Sequence, residues 1–104
     1  MGERTAATAT VQLDNEQVLV TEWRFAPGAE TGWHRHAMDY VVVPMTGGEL
    51  LLETDQGERR AQLVAGQSYS RLLGTEHNVV NAGSEEVVFI EIELKRNPDR
   101  PLPV

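Results

Sequence analysis

The chain contains no cysteine. That absence excludes disulfide cross-links, zinc–thiolate sites and cysteine nucleophiles. It also fits a reducing compartment, so a cytoplasmic location is expected. Basic residues are scarce: nine Lys and Arg stand against sixteen Asp and Glu, for a net charge of −7. Nucleic acid and anionic membrane surfaces both require a basic patch, and Arg59-Arg60 is too short to make one. Neither partner is expected. No apolar run approaches the roughly 20 residues of a membrane-spanning helix. Met1 to Thr10 carries Arg4 but no apolar stretch, so no secretory leader is expected. No Gly-rich loop opens a helix, which leaves out phosphate cradles of that type. No window shows the period of an amphipathic helix, and no repeat or low-complexity block interrupts the chain.

What remains is strand-forming sequence with regular punctuation. The 104 residues suit one domain over 1–104, with 1–9 and 97–104 as extended termini. A chain this short buries a modest core, so a partner subunit or an ion would help to stabilise it. Nine strands are predicted: Thr10 to Leu13, Gln17 to Ala26, Gly32 to His36, Tyr40 to Met45, Glu49 to Thr54, Glu58 to Val64, Gln67 to Leu72, His77 to Asn81 and Val87 to Lys95. Pro27-Gly28, Thr46-Gly47-Gly48, Asp55-Gln56-Gly57 and Ala65-Gly66 mark the turns between them. In the last strand Val88, Ile90, Ile92 and Leu94 alternate with Phe89, Glu91, Glu93 and Lys95, so one face is apolar and the other mostly acidic. Many short, evenly spaced strands predict an all-β sandwich or barrel. The tail from Asn97 to Val104 holds three of the five prolines and cannot extend a central strand.

The three histidines carry the chemistry. On a strand, His34 and His36 project from the same face, roughly 6–7 Å apart at Cα. Two imidazoles so placed can converge on one ion, and His77, opening a later strand, can supply a third nitrogen. Imidazole suits zinc, copper, iron and nickel. A His-x-His pair alone reads better as a solvated face or a chance pair than as a metal site.

The surrounding residues narrow the choice. Gly28 is followed after five residues by His34-Arg35-His36, then Tyr40 and Gly47. Gly66 is followed after five by Leu72-Leu73-Gly74, then His77 and Asn81. This pattern resembles the two-part cupin signature, G-x5-H-x-H-x3-E-x6-G and G-x5-P-x-G-x2-H-x3-N, with both spacings intact. The resemblance spans Gly28 to Asn81, about half of the chain.

It implies a jelly-roll β-barrel with a metal on His34, His36 and His77. Two positions depart from the pattern. Leu72 replaces the family's Pro, which should affect only loop stiffness. Tyr40 replaces the family's metal-binding Glu, and a phenol is a poor ligand for a divalent ion. Tyr40 keeps the parity of the histidines, so it is expected in the cavity, as a catalytic group or as a packed aromatic. Asp39 is a substitute carboxylate only if the strand bulges there. Similar cupins that lack the Glu use three histidines with iron to oxidise thiols. Others of this size act in small-acid catabolism, including β-alanine breakdown, and are commonly homodimers.

The resemblance therefore implies a divalent transition metal (iron first, then zinc, nickel or manganese) and a dioxygenase-like enzyme acting on a small polar metabolite. Isomerase or lyase chemistry, a non-catalytic sensor and a structural ion are the alternatives. Arg24, Met38 and Asn81 are the candidate pocket residues. Arg24 would clamp a carboxylate if buried, or form a surface ion pair. Met38 would be lining or filler. Asn81 would bind a ligand or fix a turn.

Overall fold

Short runs of two to eight residues, several rich in β-branched and aromatic side chains and many bounded by glycines, fold into nine strands in a computed structural model that describes residues 4–95. They are β1 (Thr8–Asp14), β2 (Val18–Phe25), β3 (His34–Arg35), β4 (Tyr40–Pro44), β5 (Gly48–Thr54), β6 (Gly57–Leu63), β7 (Tyr69–Arg71), β8 (Glu76–Asn81) and β9 (Val87–Leu94). All nine predicted strands are present, and no helix occurs among the described residues. The largest differences are at β3, reduced to two residues, at β7, reduced from six predicted residues to three, and at β1, which runs from Thr8 to Asp14. The expected extended tail at 97–104 lies outside the described residues.

The strands form two antiparallel sheets, ordered β1-β2-β9-β4-β7 and β3-β8-β5-β6. The chain crosses between sheets repeatedly, the jelly-roll solution to closing short strands around one interior. In the larger sheet Trp23 pairs with Phe89, Tyr40 with Glu93 and with Arg71, and Val42 with Glu91 and with Tyr69. Paired residues share a face. Trp23, Phe89, Glu91, Glu93, Tyr40, Val42, Tyr69 and Arg71 therefore all point inward.

The core is Phe25, Ala29, Tyr40, Val42, Leu50, Leu63, Val79, Val87 and Phe89. Phe25 is fully buried and its ring lies 5.4 Å from that of Phe89. One end of the interior is closed by this apolar packing. The other end is lined by polar side chains and holds the site.

Three hydrogen bonds shape that end. Asp39 does not bulge inward; its Oδ1 accepts the Leu73 N–H at 2.8 Å and ties the β3–β4 loop to the β7–β8 loop. His36, just beyond β3, is held by backbone bonds, His36 N to Thr75 O at 2.9 Å and Gly74 N to His36 O at 2.7 Å.

Candidate metal centre

Cross-strand pairing brings the histidines together. His34 and His77 are directly opposite in the β3–β8 pair, and His36 follows two residues later on the same side. One nitrogen from each ring lies within 4.8 Å of the other two. His34 Nε2 and His36 Nε2 are 3.0 Å apart. Two nitrogens each about 2.1 Å from one ion are separated by a similar distance. The donor set thus fits a divalent transition metal.

Protonation fits as well. His34 Nδ1 lies 2.8 Å from the Gly32 carbonyl oxygen and 3.3 Å from Thr31 Oγ1. A carbonyl only accepts, so Nδ1 carries the proton and Nε2 keeps its lone pair for a ligand role. Burial, with the neighbouring His34 and His77, lowers the His36 pKa to about 4. Burial, His34 and Arg71 lower that of His77 to about 4. At neutral pH both are uncharged, the form that binds metal.

The segment carrying His34 is fixed from outside. Asn78 Oδ1 accepts the Gly32 N–H at 3.0 Å, while its Nδ2 donates to Glu30 Oε1 at 2.8 Å and to Glu53 Oε1 at 2.9 Å. Arg4 closes the cluster through Glu53 and Glu30. The short β3 is therefore positioned by hydrogen bonds to β5 and β8 rather than by its own length.

Tyr40 is 3% exposed and stacks on His36, with centroids 3.8 Å apart and planes 18° from parallel. Burial first, then Glu91 and Tyr69, raises the phenol above its ordinary range. It stays protonated, a hydrogen-bond donor and ring support rather than an anionic ligand.

The carboxylates nearest the histidines come from β9. Oxygens of Glu91 and Glu93 and a nitrogen of His36 all lie within 4.8 Å of one another. Glu91 is 8% exposed, and burial followed by repulsion from Glu93 raises its pKa to about 7, against the pull of the Trp23 Nε1 hydrogen bond. Burial also raises Glu93, opposed by His34 and Lys95. Sequence reasoning missed both residues as site groups. Their signal was the acidic face of β9.

A cavity of about 210 Å3 opens beside the histidines. His34, His77 and Tyr40 line its inner end, with Glu91, Arg71 and Arg59 among its other walls. The expected pocket residues Arg24, Met38 and Asn81 do not line it. Arg24 has the opposite parity to Trp23 and lies on the outer face, paired with Glu86 at 2.9 Å and Glu22 at 3.2 Å. Met38 is half-buried in the β3–β4 loop. Asn81 is 1% exposed and holds a turn: Nδ2 donates to the carbonyls of Glu85, Phe25 and Ala26, and Oδ1 accepts from Gly83 N.

The family model for the cupin domain matches residues 21–93. The chain belongs to the cupin family. It is 65% identical over 95 residues to the β-alanine degradation protein BauB of Pseudomonas aeruginosa, covering 91% of this chain and all of that one. The crystal structure of a cupin domain from Bordetella pertussis superposes with a TM-score of 0.90 at 61% identity, over 92% of this chain and all of the other. A conserved protein with a double-stranded β-helix domain from Klebsiella pneumoniae shares the fold, with a TM-score of 0.74 at 22% identity over 93% of this chain and 84% of its own.

Proposed function

We propose that the chain is a metal-dependent enzyme of small-metabolite catabolism, with His34, His36 and His77 holding one divalent transition metal ion. The observation that carries this reading is the convergence of three imidazoles, with one nitrogen of each within 4.8 Å of the other two, beside a cavity that His34 and His77 line. The name of the 65%-identical relative supports a place in the breakdown of a small acid such as β-alanine. Iron is the first choice of metal, with zinc, nickel and manganese as alternatives, and the reaction class is dioxygenase-like. When bound, the ion supplies Lewis-acid polarisation or, as iron, a redox centre for dioxygen.

The remaining roles belong to the chain. Gly32 O fixes the His34 tautomer, and Tyr40 holds the plane of His36. The Tyr40 phenol keeps its proton and is the group proposed to donate it, or a hydrogen bond, within the cavity. The apolar walls, Val42, Leu50 and Phe89, exclude water from the inner end.

Glu91 and Glu93 beside His36 favour a second reading. A carboxylate ligand from β9 would suit a non-oxidative isomerase or lyase centre. If neither reaction occurs, a small-ligand sensor is what remains. Oxygen uptake by iron-loaded protein, offered small carboxylic metabolites, separates these. The dioxygenase reading expects substrate-dependent uptake that falls about 100-fold in Tyr40→Phe, a typical general-acid contribution. Turnover without oxygen uptake would assign the isomerase or lyase reading instead. We also propose a homodimer, supported by the bare edge of β1 and an uncovered apolar sheet face, and a cytoplasmic location, supported by the absence of cysteine.

A further inference from the structure

In this acidic protein the unpaired cations are few. Among the described residues Arg4, Arg24, Arg60 and Lys95 each form an ion pair with a carboxylate. Arg35, Arg59 and Arg71 form none, although acids outnumber bases sixteen to nine. Of these three, Arg59 and Arg71 line the same cavity, from opposite sheets. Arg59 pairs with Leu52 across β5 and β6, and Leu52 is itself a cavity wall. Arg71 pairs with Tyr40 across β4 and β7.

The guanidinium of Arg71 sits 4.7 Å from the centroid of the Tyr69 ring. A single hydrogen bond, to Ser70 O at 3.0 Å, uses one of its donors. Its charge is felt at His77 and at Tyr40, so it stands close to the histidines. The acids of the same cavity do not neutralise it. Glu76 accepts the Trp33 Nε1 hydrogen bond at 2.7 Å, and Glu91 bonds Trp23.

We infer that Arg71 and Arg59 bind the carboxylate of a small organic acid, which sets the ligand's orientation with its other end at His34, His36 and His77. Planar, always-charged guanidinium groups with free donors match a carboxylate in shape and charge. A cavity of about 210 Å3 has the volume of roughly seven waters, which limits the acid to a few carbons. The inference rests on the metal-site reading only for the inner end of the ligand.

The test compares propionate with its neutral isostere propionamide. Binding is measured calorimetrically on wild type and on Arg59→Ala, Arg71→Ala, the double variant and Arg60→Ala. Arg60 is adjacent in sequence but lies on the other face of β6, paired with Glu49, and serves as the charge control. The inference expects propionate to bind at least tenfold more tightly than propionamide. It expects a loss of about tenfold or more in Arg71→Ala, a further loss in the double variant and no change in Arg60→Ala. Equal binding of acid and amide, undiminished propionate affinity in the double variant, or no saturable propionate binding to wild type would overturn it. Metal content of the same samples is read separately. Its absence from wild type would remove the metal-site reading and leave the arginine comparison intact.

Discussion

His36, His77 and Glu91 share one interior and are pushed in opposite directions by it. Burial lowers the two histidines to about 4 and raises Glu91 to about 7. Each shift has a sign in stability. Between pH 4 and 6.5 the unfolded histidines bind more protons than the folded ones, so stability of the metal-free protein rises with pH. Between pH 4.5 and 7 the folded Glu91 binds more protons than the unfolded one, so its contribution falls. Two histidines outweigh one glutamate, and a net rise is expected over the shared window. Glu91→Gln removes the opposing contribution. The shift from 4.5 to about 7 corresponds to roughly 3 kcal/mol at most. Urea unfolding across pH should therefore show Glu91→Gln gaining on wild type by up to that amount between pH 4.5 and 8. A constant gap between the two proteins would show that Glu91 does not carry a raised pKa.

At the scale of the strand, the alternation of residues was legible and the choice of face was not. β2, β4, β8 and β9 follow from β-branched runs, while β6, with no β-branched or aromatic residue, follows from the Asp55-Gln56-Gly57 turn that folds it back on β5. His34 and His36 were readable as one face because strand parity is rigid. In β9 the usual rule of apolar-inward would bury Ile90 and Ile92. The fold instead turns Phe89, Glu91 and Glu93 to the interior, because their cross-strand partners are Trp23, Val42 and Tyr40. A polar cavity can accept acids that a packed core would reject, and no local pattern reports which kind of interior a strand will face. Arg59 and Arg71 were unreadable for the same reason: register across sheets, not spacing along the chain, puts them in one cavity. Asn81 was readable only as a choice between turn and pocket, and its three carbonyl partners settle its place as a turn. Among the glycines, the one with least room for a side chain is Gly48, where β5 begins. A Cβ there would sit 2.6 Å from Val87 Cγ2, with φ at +147°. Val87 is in the packed core and has little room to yield. Gly48→Ala should cost about 2 kcal/mol or more, read as a lower denaturation midpoint with an unchanged slope. An unaffected midpoint would mean that the two strands can separate without cost.

At the scale of the whole molecule, the outer face of the larger sheet stands out. Val20, Val41, Val43, Ile90 and Ile92 project from it, opposite in parity to the inward-facing Thr21, Val42 and Glu91. Leu13 and Leu94 are exposed at its end. Five to seven aliphatic side chains on an uncovered face fit a subunit contact. The proposed homodimer predicts a sedimentation mass of about two chains for wild type and one for Ile90→Glu/Ile92→Glu. A wild-type monomer would remove the dimer and leave the barrel intact.

The central claim is that three imidazoles from β3, its following loop and β8 hold one ion. Elemental analysis of untagged wild type beside His34→Ala/His36→Ala tests it directly. The account predicts close to one divalent transition metal ion per chain in wild type, or after reconstitution, and almost none in the variant, with both proteins folded by circular dichroism. Equal metal in the two proteins, or none in wild type even after reconstitution, would contradict it.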